Sequence, residues 1–93
     1  MNLSKDALDT ITLLAEVNTP MTIVKLVQFV DSLTDEQKAE LMALIWLGRD
    51  GGRYLRHLSK ANKRVDDKVG YYMAEQGPAL SSYLRLGIQN RKG

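Results

Sequence analysis

Apolar positions recur at helical spacing through most of this chain and close into an unbroken run once, from Leu41 to Leu47. The stretch around that run, Thr34 to Gly48, predicts a complete helix. Thr34 and Gln37 stand at capping-box spacing, so the Thr34 hydroxyl can accept from the Gln37 amide and the Gln37 side chain can reach back to Thr34 N–H. Asp35 and Glu36 place negative charge on the first turn, where the helix dipole favours it. Gly48 can close the far end in a left-handed conformation. A surface helix keeps one polar face, and two turns without one imply burial nearly all round or a face kept for a partner. Burial is the simpler reading, because the neighbouring segments each offer an apolar stripe. Trp46, the single Trp, then reads as a core anchor, with ligand stacking as the sharper alternative.

On either side the periodicity predicts shorter helices. Leu8, Ile11, Leu14 and Ala15 share a face of a helix over about Lys5–Val17, with Ser4 as cap. Asn18-Thr19-Pro20 breaks it. Ile23, Leu26, Val27 and Val30 recur at i, i+3, i+4 and i+7 in a second helix, about Met21–Ser32. A strand competes there because β-branched residues are frequent, but strict alternation fails at Ile23-Val24 and Leu26-Val27. Arg49-Asp50-Gly51-Gly52 is the most turn-like segment. It lacks the glycine pattern and the preceding strand that a phosphate-cradling loop needs. A fourth helix, about Arg53–Arg64, has Tyr54, Leu58, Ala61 and Val65 on its inner side. A short fifth, about Lys68–Glu75, is capped by Asp66 or Asp67. A last one begins at Pro78, with Leu80, Tyr83, Leu84 and Ile88 inward. Gly87 within it implies close packing or fraying.

The fold class is therefore all-α: one domain over residues 1–93, of five to six short helices in an orthogonal or irregular bundle. Residues 4–89 form the ordered core and residues 90–93 a mobile tail. The core anchors are Leu41, Leu44, Ile45, Trp46, Tyr83 and Leu84. Ninety-three residues suffice for a single modest core. The absence of cysteine excludes disulfides, thiolate chemistry and Cys-based metal sites. Asp6 and Asp9 interrupt any signal-peptide core, and the run Leu41–Leu47 is far short of the ~20 residues that span a bilayer. These features point to a cytoplasmic protein with no membrane segment.

Charge changes the picture more. The net is only +2, but residues 1–48 carry three cations against seven carboxylates, a net of −4, and residues 49–93 carry ten against four, a net of +6. On the fourth helix Arg53, Arg56, Lys60, Lys63 and Arg64 fall at spacings of three, four and seven, which places them within one arc. Such an arc repels itself unless something anionic lies near. Asp31, Asp35, Glu36 and Glu40 are the internal candidates; a phosphate backbone is the external one.

Catalytic chemistry is poorly represented. His57 is the single histidine and sits among cations on the basic helix, with no second histidine to share a site. No Ser or Cys triad can be completed. Asp66 and Asp67 are adjacent and point apart, and Glu36 with Glu40 has no histidine to complete a metal site. The chain reads as a non-enzymatic domain with no metal and no cofactor.

Two motifs, Ala39-Glu40-Leu41-x-Ala43-Leu44-x-Trp46-Leu47-Gly48-Arg49 and Pro78-x-Leu80-x-x-Tyr83-Leu84-x-x-Gly87, resemble a family of small bacterial proteins catalogued as domain of unknown function 3775. The likeness covers roughly Val27 to Ile88. It implies helical content and brings no assigned activity or catalytic residues. The chain departs from the family pattern after Arg49, where Gly-Asp is usual and Asp50-Gly51-Gly52 stands, and at Arg85-Leu86, where acidic residues are usual. The second departure shifts it to the basic side. The functional expectation is a protein-interaction or self-association module, with a protein partner or a weak homodimer formed through the apolar surplus of the central helix. The alternative is a nucleic-acid-binding module using the basic helix near residues 53–64, with Tyr54, Tyr71, Tyr72 and Tyr83 as stacking groups.

Overall fold

A computed structural model describes residues 1–91. They form six helices: α1 (Lys5–Val17), α2 (Pro20–Asp31), α3 (Asp35–Asp50), α4 (Tyr54–Asn62), α5 (Val69–Glu75) and α6 (Ala79–Asn90), with no strand among the described residues. Of the tail, Asn90 ends α6 and Arg91 follows it as the C-cap; Lys92 and Gly93 lie outside the described residues.

Local chemistry starts the first three helices. The Ser4 hydroxyl accepts from Ala7 N–H. Thr19 and Thr22 form a reciprocal capping box, and Pro20, which the sequence reading left in the break, is the first residue of α2, a position where its missing N–H costs nothing. At α3, Thr34 Oγ1 accepts from Gln37 N–H at 3.2 Å and Thr34 N–H donates to Gln37 Oε1 at 2.9 Å.

α3 is the axis of the fold. All ten residues from Lys38 to Leu47 are buried, so the apolar surplus is consumed within one chain. α6 and α4 flank it, α1 bridges α2 and α6, and α2 packs on α5. Leu41, Leu44, Ile45, Trp46 and Leu84 are core residues, and Tyr83 packs half-buried against them. The radius of gyration, 11.8 Å, is that of a compact single domain of this length.

Two expected boundaries move by more than one residue, and α6 starts at Ala79 with Pro78 as its N-cap rather than its first residue. Gly48 does not end α3: the helix runs on to Asp50, and Gly51, at φ +71, closes it by donating its N–H to Leu47 O. Gly48 serves another purpose, because a Cβ there would collide with the Tyr83 carbonyl group of α6. α4 is also shorter than Arg53–Arg64. Arg53 is its N-cap, Lys63 its C-cap, and Arg64 lies in the turn beyond.

The N-terminal segment is tied to α3. Leu3 is buried, and the Glu40 carboxylate accepts from Asn2 N–H at 2.8 Å and from Leu3 N–H at 2.9 Å. Gln37 Nε2 donates to Asn2 O. A buried carboxylate is tolerated when backbone donors satisfy it, and this arrangement supplies two.

Candidate anion-binding cleft

The five cations grouped by sequence do not stay together. α4 is confined to Tyr54–Asn62, and Lys60, Lys63 and Arg64 wall a cleft of about 760 Å³ between α3, α4 and α5, whose lining does not include Arg53 or Arg56. Arg49 from the end of α3 and Lys68 from the turn before α5 join them. Asp66 Oδ1 holds that turn by accepting from Lys68 N–H, rather than capping the helix, whose N-cap is Lys68. The floor is Met42 and Trp46 from α3 with Val69 and Tyr72 from α5. Asp50 and Asp66 are the two carboxylates of the lining, so cations exceed anions five to two. The volume lies in the range of small-ligand sites, which typically pair an apolar lining with a few converging polar groups.

The floor is held by a polar network. Trp46 Nε1–H donates to Tyr72 Oη at 2.7 Å, and Arg49 Nη1 donates to the same oxygen at 3.3 Å. Arg49 also makes a two-pronged contact with Asp50, Nε to Oδ1 at 3.0 Å and Nη2 to Oδ2 at 2.8 Å. These hydrogen bonds hold the Asp50 carboxyl below its ordinary pKa. His57 Nε2 lies 2.7 Å from Gly51 O. A carbonyl only accepts, so Nε2 carries the hydrogen and, in the neutral ring, Nδ1 is the basic nitrogen. The His57 ring is tilted against Trp46 with centroids 6.4 Å apart.

The acidic half does not neutralise these cations. Among the described residues the ion pairs within 4.0 Å are Arg49–Asp50 and Glu16–Arg85. Neither joins α4 to Asp31, Asp35, Glu36 or Glu40, and Glu40 is occupied by backbone amides of the N-terminal segment. The internal partner expected for the basic arc is absent among these residues, because α3 turns its acidic first turn away from the end that carries the cleft.

Arg49, His57, Lys68, Tyr72, Met42 and Val69 were not grouped as a site from sequence. One local signal existed: Lys68 and Tyr72 are one helical turn apart, and Tyr72 N–H donates to Lys68 O at 2.9 Å. Their approach to Arg49 and Trp46 depends on α5 packing on α2, which brings Tyr72 within hydrogen-bond distance of both. Among the described residues no group of three or more His, Cys, Asp or Glu is clustered to hold a metal ion, and no helix is long and apolar enough to cross a membrane.

A family model described as a protein of unknown function (DUF3775) matches residues 24–91. The chain belongs to that family. The match takes in the whole of the cleft and leaves α1 outside it. In this DUF3775 protein both resemblance motifs lie in packed structure: the first is α3, and the second ends at Gly87, where α6 meets α3. No curated protein and no solved structure matches the chain.

Proposed function

We propose that this protein is a non-enzymatic binding module that holds a single-stranded nucleic acid across the α3–α4–α5 cleft. One observation carries the reading: five cations ring an apolar, partly aromatic floor and, among the described residues, have no salt bridge to the acidic half of the chain. Phosphates suit the rim, and an unpaired base can offer its flat apolar face to the floor, which a duplex cannot. The basic arc foreseen over residues 53–64 contributes through Lys60, Lys63 and Arg64. Arg49 is engaged with Asp50 and the single histidine, His57, with the Gly51 carbonyl, which favours binding over proton transfer.

Fluorescence anisotropy with mixed-sequence single- and double-stranded oligonucleotides at two salt concentrations tests this. Single strands should bind more tightly, with log affinity falling by about 0.7 per neutralised phosphate for each decade of salt. Lys60→Glu with Arg64→Glu should abolish binding. No binding, or binding indifferent to salt, sinks the reading.

The interaction reading loses its first support, since the surplus of α3 is buried. A different observation supports a second reading as a weak homodimer: Leu13, Val17, Met21 and Val24 are all more than half exposed at the α1–α2 corner. Sedimentation should then show a mass that rises with concentration and returns to monomer on Leu13→Lys with Val24→Lys. A monomer at every concentration in the parent protein removes it.

A further inference from the structure

We infer that the Tyr72 hydroxyl, with Arg49 and Lys68 beside it, forms a subsite for one oxyanion group, a phosphoryl group, at the floor of the cleft. The inference deepens the reading above and rests on the same cleft.

The Tyr72 oxygen accepts two hydrogen bonds, from the Trp46 indole and from Arg49. Those two donors fill both of its lone pairs. What remains is its own hydrogen, and among the described residues no oxygen receives it. The phenol is thus committed as a donor, and its orientation is fixed by an indole that is only 8% exposed. Beside it, Arg49 spends Nε and one Nη2 hydrogen on Asp50 and one Nη1 hydrogen on Tyr72, which leaves one hydrogen on each of Nη1 and Nη2. Lys68, one turn before Tyr72 and lining the same cleft, adds an ammonium.

Three donor side chains, from α3, from α5 and from the turn before α5, carry two positive charges and match an acceptor that has three oxygens and negative charge. A phosphoryl group has them; a carboxylate has two. Hydrogen bonds to charged acceptors are the strong ones, and the buried indole keeps the phenol from turning to solvent. Inorganic phosphate, a nucleotide and the end of a strand all present this group.

The test reads the indole. Trp46 is the single Trp, so the protein gives one indole N–H cross-peak in a ¹H–¹⁵N spectrum. Titration with inorganic phosphate and with a nucleoside 5′-monophosphate should move that peak saturably. The nucleoside alone should leave it in place, and acetate should move it only at far higher concentration. Tyr72→Phe, followed through its backbone cross-peaks, should weaken phosphate binding about tenfold or more. Lys68→Gln, a change at an exposed position, should weaken it severalfold even where Tyr72→Phe perturbs folding. An indole peak indifferent to phosphate, or unchanged affinity in both variants, overturns the subsite. Strand binding that survives Tyr72→Phe unchanged but is lost on Lys60→Glu with Arg64→Glu removes the subsite and keeps the nucleic-acid reading. Saturable phosphate binding without any strand binding does the opposite.

Discussion

Gly48 and Gly87 meet where α3 crosses α6. A Cβ on Gly48 would lie 2.9 Å from Gly87 N and closer still to the Tyr83 carbonyl; a Cβ on Gly87 would run into the Leu44 carbonyl. All the obstructing atoms are backbone, which cannot swing aside. Gly87→Ala should therefore destabilise by about 3 kcal/mol, the upper end of ordinary overpacking, and Gly48→Ala comparably. Denaturant midpoints of the two variants measure this. Parent-like midpoints would show that the helices do not approach this closely.

Thr34→Ala removes one half of the capping box and should cost about 1 kcal/mol. The loss should be matched by Gln37→Ala only in part, because the Thr34 hydroxyl still accepts from the residue 37 amide. Coincident unfolding curves for Thr34→Ala and the parent would move the start of α3.

Trp46→Ala should destabilise by roughly 3–5 kcal/mol, since the indole is buried and its N–H is bonded to Tyr72. Its emission should be blue-shifted and poorly quenched by iodide. A spectrum typical of water exposure would contradict the packing of α5 on this face.

Glu40→Ala leaves the amides of Asn2 and Leu3 without their acceptor. The Leu3 amide is buried, so a cost of about 1–3 kcal/mol follows. Amide exchange at Leu3 should accelerate in the variant; protection equal to the parent's would mean the N-terminal segment is held otherwise.

Tyr54 gives a pH prediction. Burial, with the nearby Glu40 charge, pushes its phenol from the ordinary 10.0 up to about 12. Between those values the unfolded chain loses the proton and the folded chain keeps it, so stability should be level below pH 10 and fall as pH rises from 10 towards 12. Tyr54→Phe should remove that part of the alkaline slope. Among the described residues its hydroxyl is buried without a hydrogen-bond partner, so the variant should be at least as stable as the parent at neutral pH. A variant clearly less stable at pH 7 would reveal a partner for the hydroxyl.

Much of the fold was legible in the sequence because local chemistry sets helix starts. Ser4, the Thr34–Gln37 pair and the run Leu41–Leu47 each act within a few residues, and the helices begin and bury where those residues say. Gly48 misled for a physical reason: glycine suits both a left-handed helix end and a close helix crossing. Only the arrival of α6 decides between them, and it leaves Gly51 to end the helix.

The cleft lay beyond reach of sequence. Spacing placed Arg53, Arg56, Lys60, Lys63 and Arg64 on one arc because it assumed an uninterrupted helix. The chain turns after Asn62 instead, so that α5 can pack beside α2 and bring Lys68 and Tyr72 to Arg49 and Trp46. Hydrophobic periodicity determined by itself which segments are helical and that α3 is central, since burial of an apolar stripe is a property of the stripe. Which cations face a common space, which carboxylates neutralise them and which phenol hydrogen is left free are relations between helices, and tertiary packing alone decided them.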